Sequence, residues 1–163
     1  WSGSLVSLAW NIGVAAEIVL FFVFPRLQRL LSLQAILQLS LVAGLVRWAA
    51  LTWFVSPPVI LASQALHAFT YGSFYLASLK LLYEVVPERE RGLAQGVYNG
   101  YVVGGGSLGG RLLAGVVASG VAVGPELRSI FTMGMVVTAG ALILALVGGR
   151  GGRLGREVAP TAT

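Results

Sequence analysis

Residues 35–55 read AILQLSLVAGLVRWAALTWFV and residues 59–85 read VILASQALHAFTYGSFYLASLKLLYEV, with Ser56, Pro57 and Pro58 between the two runs. Both have the length needed to cross a hydrocarbon core of about 30 Å, which takes roughly 20 helical residues. Paired prolines end one helix and open the next, so the two runs predict a membrane hairpin with its turn at one surface. Each run nevertheless holds a strongly polar residue, Arg47 in the first and His67 in the second. Both lie ten residues from Pro57. At about 1.5 Å per helical residue that places each roughly 15 Å below the turn, near the midplane of the core.

Three further apolar runs flank the hairpin, Trp1–Phe24, Leu93–Ser119 and Ile130–Val147. They are continuous rather than alternating, which predicts helices and not the strands of a barrel. The composition agrees: of 163 residues, 56% are hydrophobic and only 10% charged, and the mean hydropathy is +0.84. An ordinary soluble domain carries far more charge. The expected fold is therefore an all-α membrane protein of five transmembrane helices, spanning 1–24, 35–55, 59–85, 93–119 and 130–147. Residues 1–150 then form one partial six-helix bundle, and the glycine and arginine tail 151–163 is expected to be unstructured.

There is no cysteine and no aspartate, so thiol chemistry and a thiolate metal site are ruled out. No basic segment or small-residue cleavage pattern precedes the first span, which is expected to begin within a longer protein rather than to be a signal peptide. Arg26, Arg29, Arg89, Arg91, Arg150, Arg153 and Arg156 fall at one side of the predicted topology and Arg128 at the other. Basic residues concentrate on the cytoplasmic side, so Trp1 is expected outside and the C-terminus in the cytoplasm. The basic balance thus reports topology, and no soluble basic face exists to read a nucleic acid.

Glu17 is eight residues before Pro25, roughly 12 Å from that end of its helix. Glu17, Arg47 and His67 are thereby expected to share one layer. Ionisable groups in hydrocarbon are costly and usually mark a path for a solute or a proton. Helical spacing aligns Trp10, Val14, Glu17 and Phe21 on the first span, Ser40, Gly44 and Arg47 on the second, and Gln64, His67, Tyr71, Phe74 and Ser78 on the third. These faces are expected to turn inward. Gln95 and Asn99 are placed to line the same cavity from the fourth span, where Gly96, Gly100 and Gly104 recur at four-residue intervals. Such spacing predicts close helix packing or a sliding surface. Lys80 and Glu84 are read as an interfacial pair. The Glu88, Arg89, Glu90, Arg91 run is read as a solvated turn or a latch. Arg111 is left between pairing with Glu126 and lining an outer vestibule.

Five short stretches together resemble the major facilitator superfamily, in the branch of lactose, nucleoside and phenylpropionate proton symporters. They are EIVLFF at 17–22, FPRL at 24–27, LVRW at 45–48, LHAFTYG at 66–72 and VPERERG at 86–92. The resemblance covers nearly the whole chain and implies the last five helices of a twelve-helix transporter, with a missing N-terminal half as partner. It implies no cofactor. In lactose carriers of that branch a histidine and an arginine on the matching helices serve sugar and proton coupling, which His67 and Arg47 match. Lys80 matches in spacing. Those carriers also keep a carboxylate where this chain has Thr70, which does not titrate near neutral pH. The match implies proton-coupled symport of a small polar or aromatic-polar solute across a bacterial inner membrane, with lactose an improbable solute and Glu17 the leading proton site. Glu17 is expected to alternate between a neutral state and an ion pair with Arg47. Neutral His67 suits hydroxyl recognition or proton relay, having one donor and one acceptor nitrogen. An uncoupled facilitator, and a non-transporting receptor or scaffold, are the alternatives. An enzyme ranks last, because a single histidine with no paired acids provides no catalytic set.

Overall fold

The computed structural model describes residues 3–54, 56–119 and 126–157, with side chains described for 3–54, 56–116 and 128–148. Every element is helical: α1 Gly3–Leu30, α2 Leu33–Trp53, α3 Pro57–His67, a π-helical segment Ala68–Ser73, α4 Phe74–Val85, a 3-10 turn Glu88–Glu90, α5 Arg91–Tyr98, a second π-helical segment Asn99–Gly105, α6 Gly106–Ser119 and α7 Glu126–Glu157. α3, the first π segment and α4 follow one another without a break from Pro57 to Val85, and the second interrupted rod runs from Arg91 to Ser119. Among the described residues three helical stretches, Gly3–Leu30, Leu33–Trp53 and Arg128–Gly148, are each long and apolar enough to cross a membrane.

Local chemistry accounts for most boundaries. The Ser32 hydroxyl accepts the Ala35 amide at 3.2 Å and caps α2, satisfying one of the orphan donors of a helix start. Pro57 and Pro58 occupy the first turn of α3, where the missing amide hydrogen is not needed. Pro25 behaves differently from the expectation that the first span ends there, because α1 continues through it to Leu30. The last turn is held by packing: Phe24 and Ile36 are buried with Ala77, and Leu27 and Leu31 cover them. At its other end α7 passes the expected span end at Val147 and enters the glycine and arginine stretch, while 158–163 lie outside the described residues.

α2 pairs with α7 through two notches. A Cβ at Gly134 would lie 2.9 Å from two atoms of the Trp48 ring, and one at Gly44 would lie 3.2 Å from the Thr138 methyl. Gln38 Nε2 donates to the Ala145 carbonyl at 3.3 Å in the same interface. α3 packs against both α1 and α2, and the first π segment does likewise. Gly72 lets the Leu20 side chain in, since a Cβ there would lie 2.6 Å from a Leu20 methyl. The glycines of the second interrupted rod are different. Cβ atoms at Gly96, Gly100, Gly106, Gly109 and Gly110 would meet nothing within 4 Å, so the close packing expected from their spacing is not made by any described residue.

Candidate functional site

α1 contributes Trp10, Gly13, Val14 and Glu17 to one side of a cavity of about 300 Å³, and α3 with the first π segment contributes Gln64, His67 and Tyr71 to the other. The α1 positions recur at three and four residues, so a single helical face supplies them all. Gly13 brings the walls together, with the Gln64 Oε1 3.7 Å from where a Cβ would stand.

Within the cavity Glu17 Oε1 lies 3.9 Å from His67 Nε2, with side chains 28% and 35% exposed. That is an ion-pair distance when the imidazole is protonated and too long for a direct hydrogen bond. The other ring nitrogen, Nδ1, is buried and has no hydrogen-bond partner among the described residues. Among the described residues no hydrogen bond therefore commits the ring to one tautomer. The Thr70 hydroxyl donates to the His67 carbonyl at 3.0 Å, so the residue standing where lactose carriers keep a carboxylate is tied to backbone.

Among the described residues Arg47 makes no ion pair with Glu17, which corrects the expected pairing of the two. Its Nε donates to the Ser63 carbonyl at 3.1 Å, and its Cζ sits 5.0 Å from the centre of the Trp48 ring. The reason is topological: α3 packs between α1 and α2, so the guanidinium on α2 meets α3 backbone one turn before His67 and not the carboxylate on α1. The guanidinium carbon lies over the indole ring, a cation–π contact worth about 0.5–2 kcal/mol.

Gln95 and Asn99 also find specific partners. Tyr83 donates to Gln95 Oε1 at 2.6 Å, and Tyr75 donates to Asn99 Oδ1 at 3.2 Å. Both amides thus face tyrosines of α4, and neither is among the residues lining the Glu17 cavity. Arg91 brackets Tyr83, with Nη2 donating to its carbonyl at 3.2 Å and Cζ 5.6 Å from its ring centre. The charged turn pairs locally, Arg89 with Glu90 at 3.1 Å and Arg91 with Glu88 at 4.0 Å. Lys80 donates to Gln28 Oε1 on α1 at 2.7 Å; among the described residues it forms no ion pair with Glu84. The Glu126 side chain, read as a partner for Arg111, lies outside the described residues.

Tyr75 and Tyr98 escaped the sequence reading. His67 stacks on Tyr71 with ring centres 5.7 Å apart, Tyr71 on Tyr75 at 6.4 Å, and Tyr75 meets Tyr98 at 5.9 Å. The signal available was a strict four-residue step from His67 to Tyr71 to Tyr75. A regular α-helix drifts off such a stripe, but a π turn holds more residues per turn and keeps it aligned.

A model of the MFS_1 like family matches residues 1–125. The "Probable 3-phenylpropionic acid transporter" of Escherichia coli (strain K12) is 30% identical over 82 residues, which span 50% of this chain and 22% of that protein. No solved structure matches. These matches agree with the membrane-length apolar helices, and the chain belongs to the MFS_1 like family of the major facilitator superfamily, a family of multi-pass membrane transporters.

Proposed function

We propose that this chain supplies five spans of the C-terminal half of a secondary transporter, α3 with α4 and α5 with α6 each crossing as one interrupted rod, and that the transporter couples a proton to uptake of a small aromatic-polar solute. Its C-terminus faces the cytoplasm of a bacterial inner membrane in this reading, and an N-terminal half completes the binding site. The supporting observation is the cavity that gathers Trp10, Glu17, Gln64, His67 and Tyr71. Transporters of this architecture bind solute near the midplane and rock two halves around it.

Glu17 is the proton site in this mechanism. Ionised, it draws the Nε2–H of a neutral His67 toward it across the 3.9 Å gap; protonated, it no longer does. The released His67 Nε2 and the Gln64 amide then hold the polar end of the solute, while Trp10 and Tyr71 cover its ring. Arg47 braces α2 on α3 behind His67 and keeps a fixed positive charge in the layer. The name of the Escherichia coli relative makes 3-phenylpropionate the first solute to test.

The test uses the full-length transporter in proteoliposomes with an imposed proton gradient. Wild type should accumulate labelled 3-phenylpropionate, and Glu17→Gln should lose accumulation while keeping exchange across the bilayer. Gradient-driven accumulation by the Gln variant removes Glu17 as the proton site. Equilibration without accumulation in wild type makes the protein an uncoupled facilitator, and saturable binding without flux makes it a receptor.

A further inference from the structure

A second cavity, of about 270 Å³, lies between the two interrupted rods, with Tyr71, Phe74 and Tyr75 of the first and Tyr98, Val103 and Gly106 of the second among its walls. Tyr71 belongs to both cavities. Tyr71 is 46% exposed and is the residue that the two linings share. We propose that this second cavity is a station for the aromatic ring of the solute, reached from the Glu17 cavity by passage along the Tyr71 face. The proposal rests on the transporter reading and adds to it where the ring goes after it leaves the Glu17 and His67 layer.

Three observations carry it. The volume suffices, since about 150 Å³ already admits a benzene ring. The lining is the chemistry that holds a flat ring: four aromatic side chains, with the Tyr71 to Tyr75 and Tyr75 to Tyr98 centres 6.4 and 5.9 Å apart, inside the range over which aromatic pairs attract. Polar groups are already satisfied in part, because Tyr75 donates to Asn99, so the walls offer ring faces in place of competing hydrogen bonds. The first cavity differs, having a carboxylate, an imidazole and an amide in its lining. A solute with one polar end and one ring thus meets two adjoining chambers of matching character. The first π segment links them, with Tyr71 stacked on His67 at one side and on Tyr75 at the other.

Gly106 gives the means of closing the station. It lines the cavity, and a Cβ there would meet nothing within 4 Å, so a leucine grows into open space. The experiment takes the full-length transporter in lipid nanodiscs with 3-phenylpropionate and its 4-azido derivative as probes. Illumination should label peptides covering 98–107 as well as those of the first cavity, and excess 3-phenylpropionate should displace both. Gly106→Leu should abolish labelling at 98–107, keep that of the first cavity, and weaken binding about threefold to tenfold, the effect of losing one set of aromatic contacts. Tyr98→Leu, which removes a wall without filling the space, should weaken binding by a similar factor. Labelling confined to the first cavity, labelling that excess ligand does not displace, or binding indifferent to both variants overturns the station and leaves the transporter reading standing. A wild type with neither saturable binding nor uptake of 3-phenylpropionate overturns both.

Discussion

Replacing Gly134 by alanine should destabilise the bundle although alanine is the better helix former. The new methyl would lie 2.9 Å from Trp48 Cδ2 and Cε2 and 3.2 Å from Cε3. Carbon atoms rest at about 3.5–4.0 Å, so ring and methyl must separate by at least roughly 0.6 Å. The indole is rigid and held on other sides, with the Phe131 ring centre at 6.1 Å and the Arg47 guanidinium at 5.0 Å. Overpacking of this kind costs about 1–3 kcal/mol, against roughly 1 kcal/mol gained from helix propensity. Gly140 lies on the same helix with nothing within 4 Å of its Cβ position, so Gly140→Ala isolates the propensity gain. Gly134→Ala should therefore melt several degrees below Gly140→Ala, at about 2–4 °C per kcal/mol for chains of this size. Circular dichroism melts in a mild detergent measure the difference. Adding Trp48→Leu removes the ring, so the Gly134 substitution should then show the same propensity gain as Gly140→Ala, a coupling that the double-mutant cycle reads. If Gly134→Ala melts with Gly140→Ala, the Trp48 notch does not join α2 to α7 and the reasoning fails.

Arg47→Lys should not rescue function, because lysine has neither the Nε donor used on Ser63 nor a planar face for Trp48; uptake equal to wild type would show that only the charge matters. Gly72→Ala places a methyl 2.6 Å from a Leu20 methyl, a flexible neighbour, so its cost should be about 1 kcal/mol and should vanish in a Leu20→Ala background, read by the same melts. Tyr83→Phe loses the 2.6 Å bond to Gln95 and should cost about 1 kcal/mol. The Arg91 contacts to the Tyr83 carbonyl and ring do not use the hydroxyl, so Arg91→Ala in the Tyr83→Phe background should cause a further loss in melting temperature.

Much of the cavity was legible in advance. Trp10 and Glu17 share one helical face by spacing, and so do Gln64, His67 and Tyr71, and these five residues meet in one cavity. The partner of Glu17 was not legible. Depth counting put Arg47 and His67 at the same level, but depth does not say which of them α1 faces, and the packing of α3 between its neighbours decides for His67. The aromatic ladder was half seen. The expected stripe went through Phe74 and Ser78 on regular helical geometry; Phe74 does line the second cavity beside Tyr71, and past the π segment at Ala68–Ser73 the ring stack continues to Tyr75 as well.

Hydropathy, run length, the proline pair at Pro57 and Pro58 and the serine at Ser32 are local properties, and with local propensities they determined the helices and most of their ends. The tertiary structure decided which side chains meet: Glu17 with His67, Arg47 with Ser63 and Trp48, Gln95 and Asn99 with tyrosines of α4. The physical reason is angular. Each residue turns an α-helix by about 100°, so one residue inserted by a π turn redirects everything beyond it. The glycine-rich rod is the complementary case, since its spacing predicts a close neighbour and no described residue of this chain provides one.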